Sequence, residues 1–340
     1  MLPLEKMDKQ GLYLSQHLHY IVYALAGILL LSAVIAQPSI SLLQGFWEIQ
    51  INETGLITDP MATGGVGAAL LNAALVLLLS TLLIRRMKLP FTGAAFACLF
   101  LMGGFSLLGK NLLNIAPIVV GGWLYSRYKG DSFAKYVYLT LYGTCLSPMV
   151  SFLLVRVSPG LRWLAMAACG LVIGFLLPAI ARFTTRIHQG YNLYNVGFAA
   201  GILGLGLASV LKGFGVEFAA GGGWSAEGHW LLCAMVTVIL LGLLGAGIVA
   251  GCRGWPAYKH ILHHSGRAVA DFILLDGPGP TLVNMALVGS IGFGYLQALY
   301  PLGVRLNGPL VCCIFAMTGF GAFGKHPRNV LPVMTGAVLA

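Results

Sequence analysis

The sequence predicts an all-α, polytopic transmembrane helical bundle of about ten spans, with an internal repeat and broken or re-entrant helices. Three observations carry this. Hydrophobic residues make up 58% of the 340 positions and charged residues 9%, far from the balance of a soluble domain. Several apolar runs reach the roughly 20 residues needed to cross a bilayer. And residues 91–124 (FTGAAFACLFLMGGFSLLGKNLLNIAPIVVGGWL) align without a gap on residues 306–339 (LNGPLVCCIFAMTGFGAFGKHPRNVLPVMTGAVL).

In chain order, apolar spans fall near 18–36, 60–84, 90–109, 111–126, 136–156, 163–181, 190–211, 229–252, 280–303 and 308–324, and another begins near 326. The first reads as an uncleaved helix, because Glu5 and Asp8 offset Lys6 and Lys9 ahead of it and leave no basic leader region. Span 111–126 is short and separated from its predecessor by Lys110 alone. It reads either as a crossing or as a re-entrant half-helix, which is tolerated where protein or a wet cavity covers the backbone.

The formal charge of +10 would suit nucleic acid, but its placement argues for membrane topology instead. Arg85, Arg86 and Lys88 follow the second span; Arg127, Lys129 and Lys135 the fourth; Arg182 and Arg186 the sixth; Arg253, Lys259 and Arg267 the eighth. Such loops read as cytoplasmic. Glu48, Glu53, Asp59, Glu217 and Glu227 lie in the alternate loops, which read as external, with Arg156, Arg162 and Lys212 as exceptions. All six tryptophans lie near span ends, as in an aromatic belt. The seven cysteines lie in or beside apolar runs with no Cys-x-x-Cys pair, and read as packing residues.

The repeat has a polar signature. Gly109, Lys110, Asn114, Pro117 and Gly121 match Gly324, Lys325, Asn329, Pro332 and Gly336 at identical spacing. Upstream, Asp59, Gly65, Gly67 and Asn72 match Asp271, Gly277, Gly279 and Asn284. By the charge rule Asp59 lies on the external side and Asp271 on the cytoplasmic side; with 111–126 as a true crossing the repeat is inverted, the reading the basic loops favour, and with 111–126 re-entrant it would be parallel. This divides the chain into an N-terminal helix and loop (1–56), a first half (57–252) and a second half (253–340). The second half reads as truncated, because Ala340 falls inside the second copy whereas four more spans follow the first.

Lysine and asparagine are costly in lipid and usually functional there. Lys110, Asn114, Lys325 and Asn329 are therefore the leading candidates for contacts to a solute, on a polar helix face aimed at a path. Asn192 and Asn195, three apart and so on one helix face in the stretch His188–Gly201, come next, with Gly197 and Gly201 as a small-xxx-small pair for close helix contact. Asn72 and Asn284 complete the set. Asp59 and Asp271 read as helix caps, or alternatively as proton or cation sites. His260, His263 and His264 have a metal-like spacing, but Asp271 is the one carboxylate noted near them, so they read as a solvated surface segment and no metal or cofactor is expected.

These motifs, with Tyr191-Asn192-Leu193-Tyr194-Asn195-Val196-Gly197-Phe198-Ala199-Ala200-Gly201, resemble an uncharacterised bacterial family of multi-pass membrane proteins, domain of unknown function 1576. The resemblance covers most of the chain from about residue 57 and brings no substrate or catalytic residue with it. A looser likeness, on Gly190-Tyr191-Asn192 alone, is to urea transporters, whose halves are also duplicated and oppositely oriented. The expected function is a transporter or channel of the bacterial inner membrane for a small neutral or anionic solute, with its path between the repeats. The expected partners are the lipid bilayer and that solute, not nucleic acid, and a homo-oligomer is compatible with this. An enzyme acting on lipid-linked substrates, or a structural or signalling membrane protein, are the alternatives.

Overall fold

Where a bilayer removes water, every backbone polar group needs a protein partner, which favours helices. The computed structural model describes residues 17–52, 58–217, 223–252, 254–266 and 270–339. Among these residues the secondary structure is helical, apart from an isolated antiparallel bridge between Asp271 and Phe323. Glu5, Lys6, Asp8, Lys9, Glu53, Arg253, Arg267 and the side chain of Arg156 lie outside the described residues.

The helices run α1 (His19–Ala36), α2 (Ser39–Ile51), α3 (Pro60–Gly64), α4 (Val66–Arg86), α5 (Gly93–Phe105), α6 (Leu112–Tyr128), α7 (Val137–Gly143), α8 (Ser147–Arg156), α9 (Arg162–His188), α10 (Asn195–Gly213), α11 (His229–Val249), α12 (Gly254–Lys259), α13 (Phe272–Asp276), α14 (Pro278–Ala298), α15 (Gly308–Phe320) and α16 (Pro327–Leu339). Six of them, α1, α4, α9, α10, α11 and α14, are long and apolar enough to cross a membrane. Segments 93–108, 137–153 and 308–320 are shorter apolar helices. The ten long spans read from the sequence are thus a smaller set of long helices interleaved with interrupted ones. The runs at 90–109, 111–126, 136–156 and 308–324 form helices of 17 residues or fewer, and glycine breaks shape two of the long ones. Gly65 (φ 90°) cuts span 60–84 into α3 and α4, and Gly277 (φ 85°) separates α13 from α14 in the same way.

Large apolar side chains such as Leu31, Leu79, Leu82, Leu205, Leu241 and Val249 face outward, as a lipid-facing surface requires. Inside, α4 presents small residues, with Ala68, Ala69, Ala73 and Ala74 fully buried, and takes α1, α2 and α5 against it. α5 and α15 pack side by side at the centre.

Two ends can be distinguished. At one, Tyr138 donates to Pro90 O, Asp271 accepts from Gly93 N–H, and Asp131 lies within the field of Arg182. This gathers the loops that follow α4, α6 and α12 beside the C-terminal part of α9. Hydrogen bonds from Lys135 and Tyr136 hold the Asp131 carboxyl below the usual carboxylate range. At the other end Asp59 accepts from Ser225 N–H and Gly308 N–H, and Trp47 and Asn52 share a cavity with Arg162.

The close helix contact expected at Gly197 and Gly201 lies elsewhere. A Cβ on Gly201 would meet nothing within 4 Å, whereas one on Gly174 would reach 2.0 Å from Ile118 O and one on Gly121 2.4 Å from Leu171 O. The glycine contact therefore joins α6 to α9. It also covers the Pro117–Gly121 face of α6, because a Cβ on Gly170 would strike the Pro117 ring. That face packs against α9.

Candidate functional site

The two copies of the Gly-Lys motif form two helix breaks. At the first, α5 tightens into a 3-10 turn at Ser106–Leu108, Gly109 turns left-handed (φ 101°), and Lys110 precedes the N-cap of α6. At the second, α15 ends at Phe320, Gly324 turns left-handed (φ 86°), and Lys325 and His326 precede α16. Glycine is needed at both turns because a Cβ is strained there.

A break leaves carbonyls without helical partners, and the asparagines supply them. Asn72 donates to Ser106 O (3.3 Å) and Lys110 O (2.8 Å). Asn284 donates to Gly321 O (2.6 Å) and Lys325 O (2.7 Å), the equivalent atoms. Asn72 Oδ1 accepts from Gln50 Nε2, and Asn284 Oδ1 accepts from Tyr258 Oη. Asn114 donates to Gly109 O and its Oδ1 accepts from Asn111 N–H. Asn329 repeats this with Gly324 O and His326 N–H. All four amides are engaged in holding the breaks open.

Asp59 and Asp271 are caps of an unforeseen kind. Each caps its own five-residue helix, through Met61 N–H and Leu274 N–H respectively. Each also reaches the first turn of the opposite repeat's broken helix. Asp271 accepts from Gly93 N–H (2.8 Å) and Ala94 N–H (3.1 Å) of α5, and Asp59 accepts from Gly308 N–H of α15. The reciprocity extends further. Phe100 and Phe315, equivalent residues, meet edge to face at 5.8 Å. A Cβ on Gly93 would reach 2.1 Å from Ala322 O, and one on Gly308 2.5 Å from Leu107 O. The start of each helix thus faces the far end of the other, and α5 and α15 run antiparallel.

The lysines differ in surroundings. Lys110 is 2% exposed. Its ammonium has Met102 Sδ at 3.2 Å and the Phe105 ring centroid at 5.2 Å, with Cys98, Cys145 and Cys312 in its electrostatic neighbourhood. It takes part in none of the ion pairs among the described residues. Lys325 is half-buried and opens into a cavity of about 350 Å³ lined by Tyr194, Phe320, Met317, Asn329, Val333 and Met334. Its ammonium lies 5.2 Å from the Tyr194 ring centroid, and Tyr194 meets Phe320 edge to face at 4.7 Å.

The segment after His188 therefore meets the second break through Tyr194 and Leu193, which lies against Gly324. Asn192 and Asn195 do not share a helix face, because α10 starts at Asn195. Asn192 accepts from Tyr194 N–H in a turn ahead of it. Asn195 is tied to Thr184, His188 and Ala181 O of α9. Sequence reasoning missed Gln50, Asn111, Tyr258 and His326. The first and third lie outside the aligned blocks, and Asn111 and His326 are equivalent positions with different residues, so no repeat marks them.

The family model for "Protein of unknown function (DUF1576)" matches residues 39–213 and 253–340. Neither a curated protein nor a solved structure matches the chain.

Proposed function

The chain belongs to the DUF1576 family of proteins of unknown function, and on that premise we propose that it is an inner-membrane transporter or channel for a small polar solute. An anionic solute fits better than a neutral one. The repeats are inverted in this reading, and the two helix breaks form its working parts. The observation that carries it is Lys110. A buried charge costs several kcal/mol unless paired, and this ammonium has a thioether, an aromatic ring and thiols around it instead of a carboxylate. A passing anion would supply the missing partner. The antiparallel packing of α5 on α15 and the reciprocal aspartate caps support the inverted arrangement. Lys110 and Lys325 carry the solute contact, and the asparagines act one step back, fixing the carbonyls that shape each break.

The test is uptake into proteoliposomes of a panel spanning small carboxylates, inorganic anions and neutral amides such as urea. Lys110→Met and Lys325→Met preserve side-chain length without the charge. We expect uptake of an anion, reduced at least about tenfold by either change, which is roughly 1.4 kcal/mol of lost interaction. Lys110→Met should melt no lower than the parent, because removing an unpaired buried charge is neutral or stabilising. Unaltered uptake in both variants would remove the lysines from the mechanism.

A further inference from the structure

A second polar cluster lies apart from both lysines, on the basic end of the bundle. His260 and His264 flank a 3-10 turn (Ile261–His263) at a spacing of i, i+4. The carboxylate that faces them is Asp276, the last residue of α13, and not Asp271. One Asp276 oxygen meets His260 Nδ1, and the other meets His264 Nε2 at 2.8 Å. The three ligand atoms lie within 4.8 Å of one another.

We infer that His260, His264 and Asp276 form a divalent transition-metal site of the zinc class at the cytoplasmic end. Imidazole and carboxylate suit Zn²⁺ with an open fourth position, at bonds near 2.0–2.2 Å. That needs donor atoms about 3.4 Å apart in a tetrahedron, so an ion entering the cluster would lengthen the two imidazole–carboxylate contacts. Two features make the site built rather than incidental. The Asp276 side chain is 2% exposed, a buried carboxylate whose described partners are these two rings. His264 is clamped, with its ring stacked on buried Phe272 at 5.4 Å and its carbonyl accepting from His326 Nε2 at 2.9 Å. An orienting shell of this kind holds metal ligands in place.

The location gives the ion a role. His326 follows Lys325, and the loop after His264 brings Gly266 against Gly324 O and Asn329. α13 carries Asp271 at one end and Asp276 at the other, so the helix that caps α5 is the one the metal grips. Bound metal would fasten His264 and, through it, the turn to Gly266 against the second break.

The test uses the full chain in detergent, tag-free and stripped with chelator, titrated calorimetrically with Zn²⁺ and, as a spectroscopic probe, with Co²⁺. The expected result is a single saturable site per chain with a tetrahedral Co²⁺ spectrum. Binding should weaken by more than about tenfold in His264→Ala and in the isosteric Asp276→Asn. His263→Ala, adjacent but outside the cluster, should bind as the parent does. His260→Ala, at an exposed position, covers the case in which a buried change impairs folding, and should also weaken binding. No saturable binding, or affinity equal to the parent's in both His260→Ala and Asp276→Asn, overturns the site.

Discussion

At the scale of single residues, the amide of Asn72 shows why a polar side chain persists in an apolar interior. It is fully buried, donates to two carbonyls released by the helix break, and accepts from Gln50. Asn72→Ala would strand three buried polar groups, each costing about 1–3 kcal/mol unpaired. We expect a loss of about 2–4 kcal/mol after partial relaxation, read as a lower melting temperature in detergent. Asn284→Ala should behave alike, since its partners are the equivalent atoms plus Tyr258. A variant melting with the parent would mean that the carbonyls find other partners. The importance of Asn72 and Asn284 was legible in the sequence, because duplication at fixed spacing marks them. What they touch was not. Their partners are main-chain carbonyls, which carry no side-chain signature, and Gln50 and Tyr258 are unrelated residues in equivalent places.

At the scale of elements, glycine pairs read the same in the sequence whether they face a helix or lipid. The small-xxx-small pattern at Gly197 and Gly201 faces open space, while Gly170 and Gly174 take α6 at close range. The distinction depends on which helix lies alongside, a tertiary fact that spacing within one helix cannot encode. Substitution separates the two sites. Gly174→Leu forces a side chain into the Ile118 carbonyl and should cost upwards of about 3 kcal/mol or prevent folding. Gly201→Ala adds a methyl group where nothing lies within 4 Å and should be neutral or stabilise by up to about 1 kcal/mol through helix propensity. Melting temperatures of the two variants, measured side by side, check both. A harmless Gly174→Leu would mean that α6 and α9 are not in contact. The same logic explains the interrupted helices. Hydropathy registers apolar runs well, but the left-handed glycine at 65 alters direction without altering hydropathy, so that break merges into span 60–84, whereas the breaks at Gly109 and Gly324 coincide with span ends read from the sequence.

At the scale of the whole molecule, the reciprocal contacts make one architectural statement. If residue i of one repeat meets residue j of the other, and their equivalents meet in turn, a two-fold relation connects the repeats. Gly93 with Ala322, Gly308 with Leu107, and Phe100 with Phe315 all obey it, as do the two aspartate caps. In the proposed inverted arrangement, a two-fold axis across the antiparallel α5–α15 pair turns one repeat upside down relative to the other and puts the Asp59 end and the Asp271 end on opposite membrane faces. This has a direct check by labelling. Glu227, exposed beside Ser225 whose N–H reaches Asp59, belongs to one end. Lys259, exposed next to His260 and its Asp276 partner, belongs to the other. Glu227→Cys should react with a membrane-impermeant maleimide added outside intact cells, and Lys259→Cys only after permeabilisation, because basic loops stay cytoplasmic. The parent protein, with its native cysteines, supplies the background. If both introduced cysteines labelled from the same side, the two-fold relation between the repeats could not lie in the membrane plane, and the opposed lysine breaks would lose their topological basis.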